Sequence, residues 1–465
     1  MNNVMTGMIT EIKQDGIFIK EAGIDGERRA DGAWPAMIDA LQLSKDRWLV
    51  IYSTRGFCGV DQGFRGRDND HSILWQLRRD SALGTVIKEG IFARYAENWD
   101  VLGDGKSNFK QHCHTGGFGV PKGALVRGKR VPHENLFAVS WYRSPRGKGD
   151  APGQLATEEY ERRLYEAAFR IEWAQFRLAD SGDDIEIVQP PQQLRQKGYE
   201  SGPAFCSMTP ICPMNKWYVK PAPYTDDRSE WVQVPHFRDG IAAIRFQFSP
   251  ASKRYEWVQT GPLFSTGRQD GLTASTEDGL QLTETSVIRH LDGWLILARS
   301  AERLSKKIRG VAWIRTDDPF KRLPDPHFPG TPFSKSPCSA FRCPDGVIRV
   351  FTNDMTLSPY RDDRNPLYCW DVDPDDGFKT SNPRVVFDAM KAGLPVREES
   401  WPRIDMPNLF PHAGGKEQII AYRARLRQRK SPHTRLVDEE KRRTGAYHGR
   451  ICYSEEFPGA WEFGS

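Results

Sequence analysis

Apolar and polar residues alternate over short runs along most of the chain, and the runs break at Gly, Pro, Asp or Asn. That is the pattern of half-buried β-strands joined by tight turns. A helical period holds best over residues 160–178, YERRLYEAAFRIEWAQFRL, and even there FRIEWAQFRL reads nearly as well as a strand. The expected class is all-β.

The strands fall into a loose recurrence. A unit opens with a small or polar, often proline-containing run, enters a strongly apolar strand, and adds further strands after a loop. DGAWPAMI, RWLVIYS, HSILWQL and GTVIKEGIFARY form the first unit, and HCHTGGFGV, LFAVSWYR, FRIEWAQFRL and IEIVQPPQQL the second. GYESGPAFC, KWYVKPAP, IAAIRFQF and YEWVQTGPLF form the third. LTETSVIRHLDGWLILARS with GVAWIRT is the fourth, and SKSPCSAFRCPDGVIRVFTND with LYCWDVDP and PRVVFD the fifth. MPNLFPHAGGKEQIIAYRA, GRICYSEE and a terminal WEF make the sixth. Units of about four strands repeated radially predict one β-propeller over residues 1–465, most simply six-bladed, with five or seven blades also compatible. The sixth unit lacks an outer strand, and MITEIKQDGIFIKEAG at the N-terminus has no inner one. Pairing the two closes the ring and protects both edges.

Composition narrows the class. Charged residues make up 27% and hydrophobic ones 38% of the 465 residues, ordinary for a globular chain and too apolar for disorder. The net charge of +5 suits an acidic ligand without singling out nucleic acid. No basic stripe with interleaved aromatics appears outside a charged loop expected near residues 423–447, RARLRQRKSPHTRLVDEEKRR at its core, so no nucleic-acid partner is expected. Aromatics, at 11%, suit packing between sheets and stacking on sugar rings. The eight cysteines show no CxxC pair and hence no zinc or disulfide framework. No apolar run is long enough to span a bilayer, and the N-terminus lacks a signal-peptide pattern. The chain as given therefore reads as cytoplasmic and without a membrane partner, or as secreted or periplasmic if a leader has been removed.

Candidate chemistry centres on QHCHTGGFGVPKG, residues 111–123. In an extended strand His112 and His114 share a face. Gly116, Gly117 and Gly119 leave room for a ligand or for crowded strands, and Lys122 follows. Upstream lies Asp68-Asn69-Asp70-His71. In a propeller the inner strands run toward one end of the channel, so their starts and the adjoining loops can be pooled. The pool holds Asp31, His112, His114, Tyr199, Glu200, Glu284, Ser334, Lys335, Arg403 and Asp405. Loop residues Arg65, Arg67, Asp68, Asp70, His71, Asp354, Tyr360 and Arg361 join it. Each has a plain structural reading as well, a carboxylate capping a turn or a histidine packed in the channel wall.

The blade openings, a charged residue shortly before a proline or small residue and then an apolar strand, resemble those of the sialidase-like β-propeller superfamily of glycan-active proteins. Ser454–Trp461, SEEFPGAW, has the spacing of that superfamily's Asp-box turn, with Glu for Asp and Pro for Gly. Where sialidases open the first blade with Arg-x-Pro, this chain has Ala33-Trp34-Pro35, and their tyrosine nucleophile has no counterpart by motif. The resemblance implies an oligo- or polysaccharide ligand and does not carry sialic acid with it.

Three functions stay open. A glycoside hydrolase needs two carboxyl groups across a glycosidic bond, for which Asp70, Glu200, Glu284 and Asp405 are candidates. A polysaccharide lyase needs a His or Tyr base and cations beside a uronate carboxylate. His71, His112, His114, Tyr199, Lys122, Arg67 and Arg403 suit that chemistry. A binding propeller would use the same residues without catalysis. No cofactor is expected; the alternative is a divalent cation held by His112 and His114 with Asp70 or His71. Hydrolysis of an acidic saccharide is the leading expectation, with β-elimination next.

Overall fold

The alternating runs form strands throughout. The computed structural model describes residues 8–19, 34–56, 69–94, 96–105, 108–147, 170–197, 220–237, 240–264, 280–302, 308–329, 336–361, 364–394, 400–428 and 443–464. β1 (Ile9–Ile17) precedes the first blade, which is built from β2 (Trp34–Ser44), β3 (Arg47–Gly56), β4 (Asn69–Arg79) and β5 (Val86–Ala93). The second blade comprises β6 (Ala96–Trp99), β7 (Asn108–Val120), β9 (Leu136–Gly147), β10 (Arg170–Leu178) and β11 (Ile185–Gln193), after a short β8 (Ala124–Leu125). Its order, β11-β10-β9-β7-β6, places β6 as an extra strand inside β7.

The third blade has β12 (Ala222–Pro223), β13 (Glu230–Gln233), β16 (Ile244–Ser249) and β17 (Arg254–Thr260), with β14 (His236–Phe237) and β15 (Gly240–Ile241) as a small hairpin within it. β18 (Leu280–His290), β19 (Gly293–Glu302) and β20 (Ile308–Thr316) form the fourth. β21 (Ser339–Arg342), β22 (Ile348–Asn353), β23 (Leu367–Asp373) and β24 (Lys379–Phe387) form the fifth. The sixth holds β25 (Ser400–Leu409), β26 (Gly415–Gln428) and β27 (Gly445–Phe457), with β1 as its outer strand. β28 (Glu462–Phe463) pairs with β8.

The chain is thus a six-bladed propeller, closed as the terminal patterns predict. β1 lies antiparallel on β27, from Ile9 opposite Tyr453 to Ile17 opposite Tyr447. Each interface between neighbouring blades has its own apolar core. Trp75, Phe92, Trp141 and Phe176 join the first and second blades, and Phe118, Trp173, Trp231 and Phe246 the second and third. Val232, Ile241, Leu282 and Ile296 join the third and fourth, and Trp313, Val350 and Trp370 the fourth and fifth. Phe387, Tyr422 and Tyr447 join the fifth and sixth, while Phe18, Trp48 and Phe410 join the sixth back to the first. The aromatic excess is therefore largely interblade packing.

Several expectations need correction. Of the two readings of FRIEWAQFRL the strand holds: Arg170–Leu178 is β10, with side chains buried on both faces between β9 and β11. Residues 160–169 lie outside the described residues. The third blade uses EWVQ as β13, while GYESGPAFC lies outside the described residues. The charged loop begins later than expected, because β26 runs to Gln428 and Arg423 is buried within it. The Asp-box-like run joins no two strands of one blade. It carries the chain from β27 to β28, and Trp461 packs near Val120 and Ala124.

The glycines of β7 serve the strands. A Cβ on Gly117 would stand 2.8 Å from Leu41 Cδ1, and one on Gly119 only 2.3 Å from the Leu136 carbonyl oxygen. Gly119 also has φ +153°. We expect Gly119→Ala to destabilise the fold by about 1–3 kcal/mol through forced backbone movement, measured as a lowered midpoint of urea unfolding.

Candidate functional site

Four strands on the inner side of the ring are bulged in corresponding places. The pairing register slips between Ala36 and Ile38 of β2, His114 and Gly116 of β7, Thr283 and Ser286 of β18, and Asp405 and Asn408 of β25. At three bulges a residue other than glycine has positive φ: Met37 at 50°, Glu284 at 51° and Met406 at 58°. L-residues adopt this conformation only under constraint from their surroundings. A bulge bends its strand and re-aims the neighbouring side chains. Here Met37 and Met406 meet Ala36 and Cys113 in a small apolar plug between strands of three blades.

One polar cluster spans the fourth, fifth and sixth blades. Glu284 on β18 accepts a 2.7 Å hydrogen bond at Oε1 from Arg299 on β19. Asp405 on β25 accepts from Arg423 on β26 and from Arg364, which precedes β23. Both carboxyl groups are buried. They respond differently to burial. Desolvation raises the Glu284 pKa above its ordinary value, and Arg299 and Arg364 offset this only in part. Desolvation also pushes Asp405 upward, but Arg423, Arg364 and Arg403 outweigh it and hold the group at about 2. The nearby Asp405 charge further favours protonation of Glu284. Glu284 Oε2 and Arg423 Nη1 are buried with no hydrogen-bond partner among the described residues.

A second cluster ties the first, second and sixth blades. Buried Asp39 on β2 accepts from the Gly117 amide at 3.1 Å and from Asn408 Nδ2 at 3.0 Å. Lys220 Nζ stands 3.5 Å from the same carboxylate and donates to the Leu409 carbonyl at 2.9 Å. His114 lies within this field. Burial pushes its pKa down to about 4, opposed by Asp39 and reinforced by Lys220, so the ring is neutral at neutral pH. His112 faces Glu172 of β10 at 4.0 Å, and Glu172 also holds Arg143 at 2.9 Å and Arg170 at 3.1 Å. Both histidines are buried, as wall residues of a packed channel would be.

Of the residues pooled from the sequence, Glu284, Asp405 and Arg403 are brought together. His112 and His114 occupy separate buried surroundings. Lys122 lies past the end of β7 and pairs with exposed Asp180 at 2.9 Å, so it joins neither cluster. Asp354 caps its own turn, accepting from the Thr356 amide, and Tyr360 donates to Asp388 at 2.9 Å. Asp70 and His71 sit on the backbone of β4, with side chains outside the description. Arg67, Tyr199 and Glu200 lie outside the described residues, as do Asp31, Arg65, Asp68, Ser334 and Lys335. Among the described residues, no group of three or more His, Cys, Asp or Glu is placed to hold a metal ion.

Sequence reasoning passed over Asp39, Glu172, Lys220, Arg299, Arg364 and Arg423. A signal existed for three of them: Asp39, Arg299 and Arg423 are isolated charges inside the apolar runs AMIDALQL, WLILARS and IIAYRA. A charge in such a run is buried and paired or it does not persist.

No protein-family profile matches the chain, and no curated protein matches it by sequence. Solved structures do. A protein of unknown function from Dyadobacter fermentans aligns at TM-score 0.51 and 10% identity, over 97% of this chain and 100% of that one. A mutant Trypanosoma rangeli sialidase with trans-sialidase activity aligns at TM-score 0.48 and 7% identity, over 94% of this chain and 59% of that one. An α-L-arabinanase from Penicillium chrysogenum, complexed with arabinobiose, aligns at TM-score 0.43 and 8% identity, over 95% and 98%. The likeness is one of fold alone, a six-bladed ring.

The charge cluster has a measurable stability signature. Asp405 has a folded pKa of about 2, below its ordinary 3.8, so its stabilisation is full above about pH 4 and is lost as pH falls toward 2. Asp405→Asn should cost about 3–5 kcal/mol at neutral pH, because Arg423 and Arg364 lose their counter-charge in a buried site. Unfolding midpoints measured from pH 7 to 2 should show the variant losing this part of the acid dependence.

Proposed function

We propose that the protein is a glycoside hydrolase acting on an acidic oligo- or polysaccharide, with Glu284 as general acid. The observation that carries this reading is the opposed setting of Glu284 and Asp405, one carboxyl biased toward the proton and its neighbour held ionised. Two carboxyl groups driven apart in pKa within one charge cluster are what acid-assisted glycosidic cleavage uses. The Glu284 proton would reside on Oε2, since Oε1 accepts from Arg299. As the bond from the anomeric carbon to the leaving oxygen breaks, that proton passes to the leaving oxygen. Asp405 then faces the positive charge developing on the sugar ring. Water supplies the hydroxyl that completes hydrolysis and returns a proton to the site.

The arginines account for the acidic character of the substrate. Asp405 fixes Arg364 and Arg423, and the open Nη1 of Arg423 can donate to a sugar carboxylate. The setting of His114 supports hydrolysis over elimination. A general base that removes a proton next to a uronate carboxyl works best with a pKa near the operating pH, and burial holds His114 near 4.

A panel of acidic and neutral glycans, assayed for new reducing ends and for ultraviolet absorbance of an unsaturated product, tests the reading. Reducing ends should appear without the ultraviolet signal, and Glu284→Gln should lower turnover by about 10²–10⁴-fold while the variant stays folded. Absorbance rising in step with reducing ends would establish elimination instead. A folded Glu284→Gln enzyme with full activity would remove Glu284 from the mechanism. No product from any glycan would favour a binding propeller.

A further inference from the structure

A cavity of about 500 Å3 lies beside the C-terminal ends of β18 and β25. It is lined by Ser286–Arg289 of β18, by the whole of β21, by the end of β25 and the residues after it (Leu409–His412), by Lys220–Pro223 and by Pro458–Ala460. Glu284 and Asp405 sit near the middle of β18 and β25 and do not line the cavity, whose lining on β18 begins at Ser286. Val287, Ile288, Phe341, Phe410 and Pro411 make the walls largely apolar. A volume of this order is that of an ordinary small-molecule pocket.

The polar lining is one-sided. Lys220, Arg228, Arg289 and Arg342 contribute to it, and none of the described residues that line it is acidic. Arg289 has a counter-ion, Asp226 at 3.3 Å. Among the described residues Arg342 donates to neutral acceptors: the Arg289 carbonyl at 3.2 Å, the Gly346 carbonyl at 3.1 Å and His290 Nδ1 at 2.9 Å. Arg228 stacks over the Trp461 ring at 4.8 Å and feels the charge of Asp226 without bonding to it, since Asp226 is engaged by Arg127 and Arg289. Arg228 is half-buried, and burial lowers its pKa against the opposing charge of Asp226, whereas Arg342 is exposed at the rim of the cavity. A third feature is His412, whose Nε2 is buried without a hydrogen-bond partner among the described residues.

A cation beside an apolar wall, with no carboxylate to neutralise it, is stabilised by a ligand that brings both an anion and apolar surface. We propose that this cavity is a second binding site, for a small anion with an apolar body, of the chemical class of a medium-chain aliphatic carboxylate. The aliphatic body lies between the walls of β18 and Phe410, and the carboxylate meets the guanidinium groups of Arg342 and Arg228. The assignment is independent of the hydrolase reading, because it concerns other residues and is read by binding.

Calorimetric titration of the 465-residue chain with sodium octanoate, octanol and sodium acetate tests it. Octanoate should bind saturably at one site per chain. Octanol lacks the charge and acetate lacks the apolar body, so each should bind at least about tenfold more weakly. Arg342→Gln and Arg228→Gln, each checked for folding by circular dichroism, should weaken octanoate by a similar factor, whereas Glu284→Gln should leave it unchanged. Absence of saturable octanoate binding would overturn the proposal. So would octanol binding as tightly as octanoate, or two folded arginine variants that both bind like the parent.

Discussion

Everything in this molecule depends on closing a ring. A propeller blade has an apolar face on each side, so no blade is satisfied until both of its neighbours are in place. Six separate apolar cores meet that condition, and the last is supplied by the two ends of the chain together. β1 covers the outer edge of β27, and Phe18, just beyond β1, packs with Phe410 of the sixth blade and Trp48 of the first. Main-chain hydrogen bonds and interblade packing therefore close the ring at the same place. The pairing also removes an open strand edge that could otherwise recruit a second chain.

Closure in turn sets the chemistry available at the centre. Six inner strands converge, and their polar groups must be paired across blades because little water can reach them. Asp39 is one such junction, bonded to the Gly117 amide of the second blade and Asn408 of the sixth. Asp405 is the other, holding Arg423 within its own blade and Arg364 from the fifth. The bulges at Met37, Glu284 and Met406 allow this, since a regular strand would aim those neighbouring side chains elsewhere. Glu284 stands out because its burial is only partly compensated. Buried groups that are incompletely paired are the ones available to a ligand.

Along the inner strands there is a division of character. The middle of the inner strands β18 and β25 carries opposed charges in close pairing, and their C-terminal ends carry cations over apolar walls. Lys220 touches both, bonded to the Leu409 carbonyl at the cavity and standing 3.5 Å from Asp39 in the polar wall.

Much of the fold was legible in the sequence because strand alternation and turn residues are local signals. The recurrence of apolar strands, the missing outer strand of the last unit and the unpartnered first strand together specified a closed ring of about six blades. Glu284, Asp405 and Arg403 were also legible, since each begins or interrupts an apolar inner strand. Their partners were not. Arg299 and Arg423 stand on the neighbouring strand of the same blade, where the pairing register sets them beside Glu284 and Asp405, and Arg364 reaches Asp405 from the adjoining fifth blade. The glycines of QHCHTGGFGVPKG likewise could have made room for a ligand or for a neighbouring strand. Tertiary packing against Leu41 and Leu136 decided it, because a glycine's missing side chain has meaning only through what occupies the space. The sequence by itself determined strands, blades and closure. The tertiary structure decided which charges meet, since pairing between distant residues is a property of the closed ring.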